Sequence, residues 1–236
     1  MGIFMSLEES RACHEFNTTH RILLLRMSSL TPAVGAIIAI NIVVYLLQNM
    51  FDPSLIFWLA LWPAGLEELT RGIPMAQSLP HFHLWQLLTY GFLHGPVFHI
   101  FFNMLGLFMF GAPLEQAWGA RRFVFYYIVC ILGAGLCQLV VASWAVKSGQ
   151  LYPTLGASGG VYGLLLAFGM RYPNRIIMLL IPPIPMPAKY FVILFGAFEL
   201  WAGISGTQAG VAHFAHLGGM LAGFLLLWLG TSQRRR

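Results

Sequence analysis

The stretch "TLGASGGVYGLLLAFGMR", residues 154–171, places four glycines around Ser158 at the start of a short apolar run. Ser158 to Met170 is 13 residues, roughly 20 Å of α-helix at about 1.5 Å per residue. The hydrocarbon core of a bilayer is about 30 Å thick. If Arg171 lies at one interface, Ser158 therefore lies roughly 10 Å below the other. Irregular backbone is tolerated at that depth only where protein buries it or water lines it, so the spacing predicts a recessed cavity with Ser158 at its floor.

The composition of the whole chain is that of a membrane protein. Of its 236 residues, 58% are hydrophobic and only 9% are charged, against about 25% charged in soluble domains. The mean hydropathy is +0.74. In such a chain the net charge of +5 does not indicate nucleic-acid binding, and no nucleotide-binding loop or internal repeat is present.

Six apolar runs predict an all-α membrane protein, a six-transmembrane-helix bundle. They are Ala33–Met50, Phe92–Ala112, Phe123–Val146, Ala157–Met170, Tyr190–Ile204 and Val211–Leu229. If both termini are cytoplasmic, only Arg71 and Lys147 of the 13 basic residues lie outside, as the positive-inside rule requires. We therefore expect a cytoplasmic N-terminal segment over 1–32, a six-span domain over 33–230 and a basic cytoplasmic tail over 231–236.

The segments between the runs carry further signals. Phe51–Gln86 is too apolar for a free linker, and we expect short helices in the outer interface, anchored by tryptophans. These are Trp58, Trp62 and Trp85. Four prolines in Ile181–Tyr190 predict a cytoplasmic turn. The opening "MGIFMS" fits a weak N-myristoylation pattern, and the late first apolar run argues against an ordinary cleaved signal peptide.

Three predicted spans bring polar side chains to a similar depth near the outer side. His99 lies about seven residues into the second span, and Asn103 follows at i+4 on the same face. His216 lies about five residues into the sixth span, and Ser158 begins the fourth. A single polar residue in a span is often only a hydrogen bond between helices. Four such groups at one level instead indicate a functional site.

Small residues indicate which helices touch. The pairs Gly159–Gly163 and Gly219–Gly223 have the small-xxx-small spacing that permits close backbone approach. We therefore expect the helices that carry Ser158 and His216 to be in contact. Tyr162, one turn after Ser158, either stacks on His216 or is ordinary core packing.

These residues resemble the rhomboid family of intramembrane serine proteases. The resemblance rests on "GASG" around Ser158, "HIFFN" at 99–103, "AHLGGMLAG" at 215–223 and "LEQAWGARRF" at 114–123. The order of the motifs and the six spans agree with the family. The sequence departs from the family in the outer loop, where many members carry Trp-Arg and Gln86 here follows Trp85. This departure concerns how the loop is anchored and how it contacts lipid.

The resemblance implies a serine endopeptidase that cleaves membrane-protein substrates in or near their transmembrane segments. Ser158 would be the nucleophile and His216 its base, a dyad rather than a triad, because the only aspartate is Asp52 and nothing in the sequence places Glu199 against His216. Oxyanion donors would be the Asn103 side chain, the His99 ring and the Ser158 backbone N–H. Supporting residues would be Tyr162, Gly156, Gly159 and Gly219.

The same resemblance sets the expected partners and location. We expect transmembrane protein substrates and membrane lipids as partners, with no nucleic acid and no cofactor. Substrate entry between the second and fifth spans is implied by the family. The expected location is a bacterial inner membrane, with both termini cytoplasmic and the active site opening outward.

Other readings of the sequence remain. An aspartyl intramembrane protease is excluded because it needs two intramembrane aspartates and this chain has one aspartate in all. A zinc protease of the His-Glu-x-x-His type is excluded because that motif does not occur. A metal site built from histidines is conceivable, although no metal is expected, because no carboxylate or cysteine joins them. Its members would be His94, His99, His213 and His216. The alternative from another class is a non-catalytic rhomboid-like binder or chaperone of membrane proteins.

Overall fold

A computed structural model describes residues 30–51, 54–65, 79–178, 183–206 and 211–233. Predictions for the N-terminal segment up to residue 29, for Arg71 and for the tail from 234 onward lie outside these residues. The helices in chain order are α1 (Pro32–Phe51), α2 (Ser54–Leu59), α3 (Gln86–Thr89), α4 (Val97–Gly106), α5 (Ala112–Trp118), α6 (Ala120–Lys147), α7 (Ser158–Arg171), α8 (Ala188–Ser205) and α9 (His213–Gln233). A 3₁₀ turn, Tyr90–Phe92, follows α3, and a π-helical turn, Leu107–Gly111, joins α4 to α5.

The all-α membrane bundle predicted from the apolar runs is confirmed. In the described part of the chain, five helical stretches are long and apolar enough to cross a membrane. They are α1, the continuous stretch Val97–Trp118, α6, α8 and α9. The remaining predicted span is α7. It has 14 residues, so it is as short as the apolar run in the sequence predicted.

The two helices that carry His99 and His216 begin later than predicted. The second span begins at Val97 rather than Phe92, so His99 is the third residue of α4 and not seven residues inside a span. Pro96 causes this difference, because it disfavours helical backbone at the residue before it and suits a helix start itself. The last helix begins at His213 rather than Val211, which likewise places His216 in its first turn.

The connection between α7 and α8 is more ordered than the predicted turn. Short strands β1 (Ile176–Met178) and β2 (Pro185–Pro187) pair antiparallel, with Ile177 opposite Met186. The described part of the proline-rich segment before Ala188 is therefore not helical, as its prolines predict, and it pairs with Ile176–Met178 as a short strand.

A buried amide is one of the groups that hold the outer connection in place. Gln86 is fully buried. Its Oε1 accepts hydrogen bonds from the backbone N–H groups of Trp62 and His83, each at 3.2 Å. Its Nε2 donates to the carbonyl of Trp58 at 3.4 Å. Gln86, which follows Trp85 where the resemblance implies an arginine, thus anchors this loop.

A buried carboxylate caps the first helix. Glu115 of α5 is buried and accepts hydrogen bonds from the backbone N–H of Ala33 at 2.9 Å and of Val34 at 2.8 Å. The hydroxyl of Thr31 also donates to it. The first N–H groups of a helix have no acceptor within the helix, and a negative charge there is favoured by the helix dipole. Glu115 therefore fixes where α1 meets the rest of the bundle.

We predict that Glu115→Ala lowers the melting temperature of the detergent-solubilised protein. Each buried donor left without a partner costs about 1–3 kcal/mol, and thermal unfolding measures the loss. Glu115→Gln keeps an acceptor oxygen and should lose less. Equal melting temperatures for wild type and Glu115→Ala would contradict the capping role.

Candidate active site

Ser158 and His216 are in direct contact. Ser158 is the first residue of α7, and His216 lies in the first turn of α9. The Nε2 atom of His216 is 2.8 Å from the Oγ atom of Ser158. His216 is 7% exposed and Ser158 is half-buried. This is the separation at which an imidazole can accept the proton of a serine hydroxyl.

The contact exists because α7 and α9 approach closely. A Cβ added to Gly219 would overlap the backbone carbonyl of Gly159, so neither helix has room for a side chain at the crossing. Gly163, one turn further along α7, packs against Cys130 of α6 and the carbonyl of Gly219. Gly223 packs instead against Tyr126. Gly159, Gly163 and Gly219 thus bring Ser158 within reach of His216, whereas Gly223 lies at the contact with α6.

The His216 ring is held from one face by Tyr162. The two rings stack with centroids 4.2 Å apart and planes 4° from parallel. Tyr162 lies on α7 one turn after Ser158, and its hydroxyl donates a hydrogen bond to Oε1 of Glu199. The ring is therefore fixed by a residue that is itself fixed from α8.

Glu199 is the functional candidate that sequence reasoning missed. It is 3% exposed. Its Oε2 lies 2.6 Å from Nδ1 of His213 and 2.9 Å from Nδ1 of His216. The second contact has the distance of an ion pair, but the oxygen lies off the direction of the ring N–H, so it is not a linear hydrogen bond. The expectation that no carboxylate joins these histidines was wrong. The signal for Glu199 in the sequence was the rarity of an acidic residue inside an apolar span. The sequence does not give the rotation of α8, which decides what this side chain faces.

His99 and Gly156 lie beside Ser158. Gly156 has φ = +129°, which side chains rarely adopt, and a Cβ there would lie 2.8 Å from Nε2 of His99 and 3.7 Å from Oγ of Ser158. The His99 Nδ1 accepts a hydrogen bond from the N–H of Gly95 at 3.3 Å. The neutral His99 ring therefore carries its proton on Nε2, the nitrogen on the Gly156 side.

Asn103 provides a buried donor without a partner. It is 5% exposed, and its Nδ2 has no hydrogen-bond partner among the described residues. An amide left in this state is costly, which fits a group that serves a transient acceptor. Asn103 lies one turn after His99 on α4, so the two share a face.

The four histidines considered as a metal site fall into two groups. His94 packs edge-on against His99, with centroids 5.3 Å apart, whereas His213 and His216 meet at Glu199. The pKa of His94, which precedes the membrane-spanning stretch, is lowered to about 4 by burial and by the nearby His99. The ligand atoms of Glu199, His213 and His216 all lie within 4.8 Å of one another, a spacing that could hold a metal ion. Direct hydrogen-bonding and ion-pair contacts also account for that spacing.

Sequence comparisons agree with the motifs. A family model described as Rhomboid domain matches residues 81–233. Rhomboid protease GlpG of Serratia proteamaculans (strain 568) is 29% identical over 210 residues, which are 86% of this chain and 64% of that protein. RHOMBOID-like protein 1 of Arabidopsis thaliana is 32% identical over 167 residues, 70% of this chain and 40% of that protein. The chain thus spans less than two thirds of the length of these relatives.

We predict that Gly219→Ala lowers the melting temperature, because the added methyl group forces α7 and α9 apart. Overpacking of this kind costs about 1–3 kcal/mol. Gly230→Ala on the same helix is the matched control, since a Cβ there meets no atom of the described residues within 4 Å. Alanine also favours a helix over glycine by about 1 kcal/mol, so the control should not melt earlier. If both variants melted alike, the close helix contact would be wrong.

Proposed function

Since the chain belongs to the rhomboid family, we propose that it is an intramembrane serine endopeptidase, with Ser158 as nucleophile and His216 as general base. The observation that carries the proposal is the 2.8 Å contact between Nε2 of His216 and Oγ of Ser158. The relative from Serratia is named as a protease. The site has the parts that acyl transfer needs, a nucleophile with an adjacent base and nearby donors.

The reaction follows from that contact. As Oγ of Ser158 bonds to the substrate's carbonyl carbon, its proton passes to Nε2 of His216. The imidazolium then gives this proton to the leaving amine nitrogen, and the peptide C–N bond breaks. A water molecule next loses a proton to His216 and attacks the acyl carbon. The ester bond to Oγ of Ser158 then breaks, and His216 returns the proton to Oγ. Atoms and charge balance without a cofactor.

Three groups would stabilise the oxyanion. The Nδ2 of Asn103 is a buried donor without a partner, and the hydrogen bond to Nδ1 of His99 leaves a proton on its Nε2. The backbone N–H of Ser158 lies at the start of α7, where the helix dipole favours negative charge. Gly156, between His99 and Ser158, leaves room for a substrate backbone.

The substrates would be other membrane proteins. A peptide bond inside a helix is protected by its hydrogen bonds, so small or helix-breaking residues are expected near the cleavage site. We further propose that the site opens outward through a recessed, water-filled cavity. Both termini would be cytoplasmic, and the membrane would be a bacterial inner membrane, as the charge distribution suggests.

We predict that Ser158→Ala abolishes both labelling by a fluorophosphonate probe and cleavage of a model transmembrane substrate in proteoliposomes. His216→Ala should lose both as well, because the hydroxyl is a weak nucleophile without its base. Melting temperatures of the variants check that they remain folded.

The alternatives are distinguishable in the same assay. Cleavage that persists in Ser158→Ala would refute the serine mechanism. Binding of the substrate by wild type with neither labelling nor cleavage would indicate the non-catalytic binder instead. Cleavage abolished by a chelator would favour metal chemistry.

We predict that Asn103→Ala lowers kcat by about 10²–10³, the usual loss for one oxyanion donor. The substrate KM should change little, because the donor acts mainly on the transition state. Asn49→Ala is a control, since among the described residues this exposed amide on α1 bonds the carbonyl of Tyr45 in its own helix and no other group. A kcat for Asn103→Ala equal to that of Asn49→Ala would remove Asn103 from the oxyanion site.

A further inference from the structure

The carboxylate of Glu199 lies where the dyad mechanism has no role for it. Among the described residues the acidic side chains are Glu115 and Glu199. Glu115 caps α1, and Glu199 lies beside the base of the dyad. An acidic side chain inside a membrane span is costly unless it is paired, and it usually has a function.

The two oxygens of Glu199 make different contacts. Oε1 accepts the hydrogen bond of Tyr162, whose ring stacks on His216. Oε2 lies between Nδ1 of His213 and Nδ1 of His216. One side chain from α8 therefore touches the ring that supports the base and the base itself.

The tautomer of His216 determines what its contact with Oε2 of Glu199 can do. Its Nε2 faces the Oγ of Ser158 and accepts that proton, so the neutral ring carries its own proton on Nδ1. When Nε2 becomes protonated, the positive charge spreads over both nitrogens. The Glu199 carboxylate then lies 2.9 Å from the charged ring, in a buried site where attraction is stronger than in water.

We infer that Glu199 is a positioning residue for His216. It fixes the ring through Tyr162, favours the Nδ1–H tautomer and stabilises the imidazolium formed as Ser158 attacks. The inference rests on the proposed function, and Glu199 acts through His216 rather than on the substrate. It remains ionised throughout, and no proton passes to it.

The test is the pH profile of cleavage in Glu199→Gln. The acid limb of kcat/KM reports protonation of the base in the free enzyme. The neutral amide no longer attracts the positive charge that develops on the ring, so the acid limb of the variant should move to lower pH by about one unit. We predict that kcat falls about 10- to 100-fold, less than for a buried linear Asp–His pair.

Several other groups face His216 and could affect the shift. Tyr162 and Ser158 face it from α7, Glu199 from α8 and His213 from its own helix; His99 of α4 is close enough to interact with it electrostatically. Tyr162→Phe loses the hydrogen bond to Glu199 but keeps both the stack and the carboxylate. It should therefore lower kcat without moving the limb.

Two further variants complete the series. Glu199→Asp moves the carboxylate away from the ring by one methylene group. It should lower kcat and move the acid limb to lower pH, in each case by less than Glu199→Gln does. Glu115→Gln removes the other described buried carboxylate, which is not in the site, and should leave the limb in place. Melting temperatures are measured for all variants.

The outcomes separate the two proposals. Folded Glu199→Gln could have the same kcat and the same acid limb as the wild type while Ser158→Ala is inactive. That result would overturn the role of Glu199 and leave the proposed function standing. If Glu199→Gln does not fold, the same result in Glu199→Asp overturns it. Active Ser158→Ala would refute the proposed function itself. Activity that needs a metal, lost on chelation in wild type, would assign Glu199 and its histidines to that metal instead.

Discussion

The approach of α7 to α9 at Gly159 and Gly219 is the constraint on which the site depends. Lipid tails are as apolar as the helix surfaces, so helices in a bilayer associate through close packing rather than through the hydrophobic effect. Where no side chain intervenes, the two backbones meet, and the residues near the start of each helix meet too. The Ser158–His216 contact is therefore a consequence of backbone packing, and a side chain at Gly219 would overlap the backbone of Gly159.

The two described buried acids show how such a bundle uses charge. Each is surrounded by donors, since a buried carboxylate is tolerated only when paired. Glu115 accepts from the start of α1 and so fixes a helix. Glu199 accepts from Tyr162 and His213, and its remaining contact is with His216. One carboxylate thus orders the scaffold, and the other lies at the candidate site.

The helix that carries Glu199 is also among the least buried. On α8 the apolar side chains of Ile193, Trp201 and Ile204 are exposed, as expected for a face turned to lipid. Its buried face supplies the carboxylate that touches the His216 ring. The geometry around His216 is therefore set from four sides: Ser158 and Tyr162 on α7, Glu199 on α8 and His213 on its own helix.

The sequence by itself determined the membrane class, the family, the short α7 and the contact between two glycine-bearing helices, because hydropathy, span length and small-residue spacing are local properties. The start of α4 was also a local property, because Pro96 sets it, but the longer apolar run from Phe92 obscured it. The sequence did not determine the strand pairing before α8. It also did not place Glu199, because the rotation of one helix against another depends on the packing of all their side chains. Only the tertiary structure decided that this carboxylate faces His216, and that the four histidines separate into two groups.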